Sequence, residues 1–368
     1  MKRMFGRFDP VTTLARSFEA VRARARTGRR KCRIGRVSRT AIATILFVLM
    51  GSAVVLSPLN NVGAADPPTV DLTTWKSPSI DSVGNDDLGK LIKYGYALTK
   101  DTADLIGPTV EDAAKRYSGN NLTCASCHLQ MGTQPYAMPL VGVWGQFPQY
   151  RRREGRVGTL EDRINGCLER SMNGRALPLE SREMKAYLSF MRWLSAGIAD
   201  GAKLQGAGTL AVKEPDRAAD PIHGKQVFAQ VCAACHGADG LGKRAESGAG
   251  YQFPPLWGPD SYNNGAGMTR VLDAASFIKN NMPFGTTYAA PVLSDEEAYD
   301  VAAFIDSAER PQKADLAKDY PNLLQKPVDS NYGPYADDFS PEQHKYGPFA
   351  PIRAKIKELK EQSTRAGQ

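Results

Sequence analysis

The chain has 368 residues and a formal net charge of +8, a length sufficient for two or three domains with hydrophobic cores. The positive charge is confined to residues 1–40, which carry thirteen Lys or Arg against Asp9 and Glu19, so the chain from Asp66 onward sums to −3. The basic composition therefore does not indicate a nucleic-acid-binding protein.

Residues 1–65 have the order of residue types found in a secretory signal. A basic stretch is followed by an apolar run over 41–56 and then by small residues that end at Ala64 and Ala65. This order predicts cleavage after Ala64 or Ala65 and a periplasmic protein. The alternative is a retained inner-membrane anchor, because the uncharged stretch approaches the roughly 20 residues that span a bilayer. Contact with a membrane is expected only if the leader is retained.

One five-residue pattern occurs twice, in segments Cys124-Ala-Ser-Cys127-His128 and Cys232-Ala-Ala-Cys235-His236. Two cysteines three apart and a following histidine form the attachment motif of c-type haem: the thiols add to the porphyrin vinyl groups, and the imidazole binds the iron. A zinc knuckle or a redox dithiol also uses Cys-x-x-Cys pairs, but neither needs the histidine. The repeat predicts two covalently bound haem c groups.

Each motif lies between two predicted helices, at 86–100 and 180–198 for the first motif and at 222–231 and 294–310 for the second. This order resembles the small all-helical class I cytochrome c fold, so the chain is predicted to be all-α with two such haem domains.

The predicted boundaries are 66–205 for the N-terminal cytochrome c domain, 206–312 for the C-terminal one and 313–368 for a C-terminal extension packed across both. A segment rich in Gly and Ala, 201–220, indicates a linker. The alternative for the extension is a disordered tail, although its many aromatic residues are untypical of disorder.

The second haem has a candidate sixth ligand in Met282, which precedes Pro283 in a loop ahead of the last predicted helix. Class I cytochromes carry their methionine ligand at such a place, and thioether ligation raises the haem potential. Two alternatives remain: Met282 could fill the core, and Lys279 could compete as a ligand in one redox state.

No histidine lies between His128 and the predicted linker, so the first haem needs another kind of sixth ligand. The candidates are Met131, Met138, Cys167, Met172, Met184 and Met191. Cys167 is left over once Cys32 is removed with the leader and four cysteines are used for haem attachment. An unpaired cysteine forms an intermolecular disulfide, a buried inert thiol or a reactive or ligating thiolate.

The predicted helix over 159–172 begins with a Thr159 and Asp162 cap pattern and places Arg163, Cys167 and Ser171 on one face. Residues 150–176 carry seven arginines against four acids. A run of charge is usually a solvated surface, but beside an unpaired cysteine it would also lower the thiol pKa and attract a small dianion.

The segment from Arg163 to Arg175, RINGCLERSMNGR, resembles the thiosulfate dehydrogenase family of dihaem c-type cytochromes. The resemblance extends through both motifs, the Met282 loop and the segment His344 to Phe349. It implies that Cys167 ligates the first haem, that this haem is catalytic, and that Arg153, Arg163 and Ser171 bind thiosulfate. Arg151 and Arg152 could exchange roles with Arg153. Some relatives carry lysine where this chain has Asn281 and switch haem ligands there.

The reaction implied by the resemblance is the oxidation of two thiosulfates to tetrathionate. The His236 and Met282 haem would pass the electrons to an external acceptor, expected to be a c-type cytochrome. Three alternatives remain: an enzyme that favours tetrathionate reduction, a relative of the sulfur-oxidising cytochromes that join thiosulfate to a carrier thiol, and a dihaem electron carrier that docks another protein through its arginines.

Overall fold

The computed structural model describes residues 66–246 and 248–366. Helix α1 (Asp87–Lys100) and helix α5 (Arg182–Leu194) form the frame of its N-terminal half. The Asp86 carboxylate caps α1 by accepting the Gly89 backbone N–H at 2.7 Å. The two helices cross closely because Gly95 has no side chain: a Cβ there would overlap the Ala186 carbonyl.

Three further helices complete the N-terminal half: α2 (Thr102–Ile106), α3 (Leu129–Gly132) and α4 (Leu160–Arg170). Helix α4 begins with a capping box in which Thr159 and Asp162 bond each other's backbone N–H groups, as the sequence predicts. Its apolar stripe of Leu160, Ile164 and Leu168 is buried in the core that α1 and α5 also line.

The C-terminal half repeats this frame. Helix α6 (Pro221–Val227) continues through a π-helical turn over Phe228–Cys232 into α7 (Ala233–His236), and α8 (Val271–Asn281) and α9 (Asp295–Ser307) follow. Helix α6 packs on α9, where Gly224 lies against the Asp300 carbonyl. The predicted capping box of Ser294 and Glu297 begins α9. The all-α prediction is confirmed.

Strands are short and form three pairs within the described residues: parallel β1 (Thr69–Asp71) with β4 (Lys203–Gln205), antiparallel β2 (Gln149–Arg151) with β3 (Arg156–Gly158), and antiparallel β5 (Lys243–Arg244) with β6 (Tyr251–Phe253). The predicted linker over 201–220 thus contains β4. Five isolated 3₁₀ turns lie at Ile80–Ser82, Ala113–Lys115, Cys124–Ser126, Trp144–Gln146 and Gly267–Thr269.

The C-terminal extension is ordered. It contains two 3₁₀ turns, Leu316–Lys318 and Leu323–Gln325, and two helices, α10 (Pro341–Tyr346) and α11 (Ala350–Ala366). Its later part packs on the C-terminal half, where Phe349 and Ile352 are fully buried in the second core. Its earlier part contacts the N-terminal half, because Asp319 forms an ion pair with Arg170 at 2.7 Å.

Across 66–246 and 248–366, no helix combines the length and the apolar character needed to cross a bilayer. The predicted signal or anchor, residues 1–65, lies outside the described residues.

Candidate active site

The first Cys-x-x-Cys-His motif begins as a 3₁₀ turn that brings its side chains together. The backbone N–H groups of Cys127 and His128 both donate to the Cys124 carbonyl, at 3.2 and 2.9 Å. The Cys124 sulfur lies 3.5 Å from the Thr102 hydroxyl and 3.8 Å from the Tyr187 hydroxyl. The turn therefore gathers the two cysteines and the following histidine in one short segment, as covalent haem attachment requires.

Both motif histidines are oriented by the same kind of hydrogen bond. His128 Nδ1 lies 2.5 Å from the Met138 carbonyl, and His236 Nδ1 lies 2.8 Å from the Pro254 carbonyl. Since a carbonyl only accepts, each Nδ1 carries the proton and each Nε2 is left with its lone pair for a metal. Burial also lowers the pKa of His236, which favours the neutral, metal-binding imidazole.

The donor groups fit haem better than zinc. No group of three or more His, Cys, Asp or Glu side chains is placed to hold a metal ion in the part of the chain that the structure describes. A structural zinc site needs four such ligands. Two thiols and one free imidazole nitrogen per motif instead match the two thioether links and one axial ligand of haem c.

Cys167 lies on α4 opposite the His128 imidazole. Arg163, one helical turn earlier, donates a hydrogen bond from Nη1 to the Cys167 sulfur at 3.1 Å. Burial raises the pKa of the Cys167 thiol, but the positive charge of Arg163 outweighs it and lowers that pKa to about 6. This pKa favours the thiolate of Cys167 at neutral pH, with the Arg163 guanidinium as its hydrogen-bond donor.

The other sequence candidates for the first sixth ligand lie in different surroundings. Met172, Met184 and Met191 are buried in the first hydrophobic core. Met131 and Met138 are half-buried in the loop after His128, and the carbonyl of Met138 already accepts from that histidine.

The seven arginines of residues 150–176 differ in their partners. Those that bond carboxylates or backbone carbonyls are Arg151 (Glu154), Arg156 (Asp162), Arg170 (Asp319) and Arg175 (Arg116 and Ala114 carbonyls). Arg152 is exposed. Within the described residues, Arg153 and Arg163 form no ion pair with a carboxylate at 4.0 Å or less, so their charges remain available to an anion.

Arg153 is held from the C-terminal extension. Its Nε donates to the Tyr320 hydroxyl at 3.3 Å, and its carbonyl accepts the Tyr320 backbone N–H at 2.7 Å. The contact with Nε leaves the Nη1 and Nη2 atoms for bidentate binding. The neighbouring Arg151 contributes instead to the positive potential at Cys167.

Ser171 caps the C-terminal end of α4, one turn after Cys167. Its carbonyl accepts a hydrogen bond from Asn120 Nδ2 at 3.0 Å, and the same amide donates to the Ser261 carbonyl of the C-terminal half at 3.1 Å. Asn263, also from the C-terminal half, donates from Nδ2 to the Glu169 carbonyl at 2.8 Å. Both halves of the chain thus hold the segment that carries Cys167 and Ser171.

Met282 is the C-cap residue that follows the last residue of α8, and it lies half-buried against the second core. Lys279, the competing candidate, forms an ion pair with Asp295 at 2.6 Å. Its ammonium is therefore already engaged by a carboxylate.

The sequence did not predict the residues that contact the arginines from a distant part of the chain. Tyr320 and Asp319 contact Arg153 and Arg170 across more than 140 positions of sequence, and no local pattern marks such pairs. The one available signal was the density of tyrosines after residue 319.

Family models match both halves of the chain. The SoxA/TsdA cytochrome c domain matches residues 113–199, and the cytochrome c model matches residues 222–309. Each match contains one attachment motif. With its helical fold, the protein is a dihaem c-type cytochrome that binds two haem c groups covalently.

The chain is 44% identical over 254 residues to the thiosulfate dehydrogenase of Allochromatium vinosum, covering 67% of this chain and 87% of that protein. It is 40% identical over 251 residues to that of Psychrobacter arcticus, covering 68% and 72%. A solved thiosulfate dehydrogenase (TsdBA) from Marichromatium purpuratum superposes with a TM-score of 0.60 at 36% identity, covering 66% of this chain and about half (51%) of that one. The chain belongs to the thiosulfate dehydrogenase family, which confirms the resemblance seen in the sequence.

Proposed function

We propose that the chain oxidises two thiosulfate ions to one tetrathionate at the first haem, whose iron His128 and Cys167 would hold. The observation that carries the proposal is the position of the Cys167 sulfur, which accepts from Arg163 at 3.1 Å and has His128 as a neighbour. A thiolate placed opposite a motif histidine is suited both to bind iron and to react with a sulfur substrate.

The two haems, when bound, accept the two electrons that the reaction releases, one each. The remaining chemistry belongs to the side chains. The Cys167 thiolate bonds to the outer sulfur of one thiosulfate, forming an S–S bond as two electrons leave. The second thiosulfate attacks that sulfur, so tetrathionate forms and the Cys167 thiolate returns. Atoms and charges balance in both steps, and no proton is taken up.

Arg153 and Arg163 would bind the substrate. Two thiosulfate dianions repel each other, so a site that joins them must offset four negative charges in a small volume. These two arginines have no carboxylate partner within the described residues, unlike Arg151, Arg156 and Arg170. Ser171, one turn beyond Cys167, would add a hydroxyl donor to a sulfonate oxygen.

The second haem would be held by His236 and Met282 and would serve as the electron outlet to an external c-type cytochrome. Thioether ligation by Met282 would raise the potential of this haem, which suits it to supply an electron outlet. Because Lys279 is paired with Asp295, it is not free to compete, which supports Met282 as the ligand in both redox states. In this proposal residues 66–205 form the catalytic domain, 206–312 the electron-transfer domain and 313–368 the extension, and residues 1–65 direct the chain to the periplasm.

Replacing Cys167 by Gly tests the proposal. The variant is purified with both haems attached, and thiosulfate is added without an acceptor while haem reduction is recorded by absorbance. Wild-type protein is expected to reduce its own haems, and the variant is expected to lose this reduction together with the electron paramagnetic resonance signal of a low-spin thiolate-ligated haem. Undiminished oxidation by Cys167→Gly would overturn the assignment.

The same assay distinguishes the enzyme from a simple electron carrier, because thiosulfate would not reduce the haems of a carrier. The pairing of most arginines within the chain also disfavours a free docking patch for another protein. Because the two chemical steps are reversible, an enzyme that runs faster as a tetrathionate reductase is the second candidate. Steady-state rates in both directions, with a cytochrome acceptor and with a reductant, decide between them.

A further inference from the structure

Asn281, the last residue of α8, joins the two halves of the chain through its buried amide. Its Oδ1 accepts from Gln134 Nε2 at 2.8 Å, and its Nδ2 donates to the Tyr136 carbonyl at 3.1 Å and to the Phe277 carbonyl at 3.0 Å. The side chain is only 2% exposed. A buried amide with both ends satisfied fixes its surroundings, since breaking any one bond leaves a polar group without water.

Two of the residues that Asn281 bonds, Gln134 and Tyr136, belong to the segment that orients the first haem's histidine, which we call the His128 loop and which includes the short helix α3. This loop runs from His128 to Met138, whose carbonyl accepts the His128 Nδ1 proton at 2.5 Å. The loop is braced elsewhere too, because the Tyr136 backbone N–H donates to the Gly206 carbonyl at 2.7 Å.

On the other side, Asn281 immediately precedes Met282. The Met282 backbone N–H donates to the Ile278 carbonyl at 2.8 Å, so the main chain at this methionine is fixed to the end of α8. A second contact lies six residues on, where the rings of Tyr288 and Tyr136 meet edge to face at 4.7 Å between centroids. The Met282 loop therefore rests on the His128 loop at two points.

We propose that Asn281 is a positioning residue for Met282, which it holds in place against the His128 loop, and that this bridge links the ligand geometry of the second haem to that of the first. The proposal rests on the proposed role of Met282 as an iron ligand. Without the amide, the Tyr136 carbonyl and Gln134 would lose their partner, the loop would relax, and the thioether would bind less firmly. Since thioether ligation raises the potential, its weakening lowers the potential of the second haem.

Asn280 provides a matched control. It is the adjacent residue on α8, is 3% exposed, and donates from Nδ2 to the Leu210 carbonyl at 2.6 Å and to the Ser276 carbonyl at 2.7 Å. It is thus an equally buried asparagine with backbone partners, but its bonds do not reach the His128 loop.

The experiment compares Asn281→Ala, Asn280→Ala, Gln134→Ala and the double variant Gln134→Ala/Asn281→Ala, each as the full dihaem protein. The readouts are the methionine-to-iron charge-transfer band of the oxidised protein and the potential of the second haem. We expect Asn281→Ala to weaken the band and lower the potential, Gln134→Ala to do so to a smaller extent, and the double variant to match Asn281→Ala. Asn280→Ala is expected to leave both readouts unchanged.

A further variant, Met282→Gly, separates this inference from the ligand assignment. If it keeps the charge-transfer band, Met282 is not the ligand and the proposed function of the second haem fails. If it loses the band while Asn281→Ala retains both the band and the potential, Asn281 does not position the ligand and the inference is overturned. Equal shifts in Asn280→Ala and Asn281→Ala would also overturn it, because they would reflect a general loosening of α8.

Discussion

Tyr320 of the C-terminal extension and Arg153 of the N-terminal half form two hydrogen bonds with each other: Arg153 Nε donates to the Tyr320 hydroxyl at 3.3 Å, and the Tyr320 backbone N–H donates to the Arg153 carbonyl at 2.7 Å. The guanidinium carbon also lies 5.7 Å from the centre of the tyrosine ring. These contacts fix the orientation of the Arg153 side chain and leave Nη1 and Nη2 free to bind an anion. A long arginine side chain loses less entropy on binding an anion when it is held in this way.

Replacing Tyr320 by Phe removes the hydroxyl and keeps the ring and the backbone contact. We expect KM for thiosulfate to rise roughly fivefold with little change in kcat, since one net hydrogen bond is worth about 1 kcal/mol. Steady-state kinetics measure this split. Tyr150→Phe is the control, because the Tyr150 hydroxyl bonds Gln325 in the same extension at 3.2 Å but from an exposed position. An equal rise in both variants would contradict the specific role of Tyr320.

Replacing Arg163 by Gln removes the charge that stabilises the Cys167 thiolate. A hydrogen bond to a charged group is worth about 2 kcal/mol, so kcat/KM is expected to fall by roughly thirtyfold. Arg152→Gln, which removes an exposed arginine from the same basic segment, is expected to change kcat/KM less than twofold. Similar losses in the two variants would indicate that general positive potential, and not the contact with Cys167, supports the reaction.

The ion pair of Arg170 and Asp319 predicts a large effect on stability. The two groups meet at 2.7 Å, and each side chain is only 11% exposed. Asp319→Ala would leave a buried guanidinium without its carboxylate, so we expect the free energy of unfolding to fall by about 3 kcal/mol. Denaturant titration followed by far-ultraviolet circular dichroism measures it. In the exposed pair of Lys318 and Asp315, Lys318→Ala is expected to cost less than about 1 kcal/mol.

Asp306 predicts a pH dependence of stability. Burial raises the pKa of its carboxyl to about 7, against the opposing charges of Arg310 and Lys345 and with the support of Asp329 and Asp273. The folded chain therefore keeps a proton on Asp306 that the unfolded chain releases near pH 4. As a result, this group lowers the free energy of unfolding as pH rises from about 4 to about 7, and it causes no further change above that range.

Asp306→Asn tests this dependence, because an amide has the shape of the neutral acid. Relative to wild type, the variant is expected to gain stability at pH 8 and to lose this gain by about pH 4. Thermal midpoints measured across that pH range provide the comparison. A gain that is the same at both pH values would rule out the titration of Asp306 as its cause.

The sequence was sufficient for features that depend on neighbours along the chain. The capping pairs Thr159 with Asp162 and Ser294 with Glu297 are three residues apart, and a helix turn brings such pairs together wherever it forms. The Cys-x-x-Cys-His motifs are also local features, because each consists of five consecutive residues. The placement of Arg163 one turn before Cys167 also follows from helical spacing alone.

Contacts between distant segments were beyond sequence reasoning. The choice among Arg151, Arg152 and Arg153 depends on Glu154 and on Tyr320, which lies 167 residues further on. The bridge from Asn281 to Gln134 spans 147 residues. Strands β1 and β4 have only three residues each, too few for a period to be detected, so the second of them was included in a linker.

Because Tyr320 and Asp319 follow both haem motifs in the chain, the surroundings of Arg153 and Arg170 are complete only when the extension is present. A chain that stopped after the second domain would contain both attachment motifs, and Cys167 would stand beside Arg163, yet Arg153 would lack its tyrosine and Arg170 its carboxylate. In the proposed function, loss of the extension would therefore weaken substrate binding and leave both attachment motifs in place.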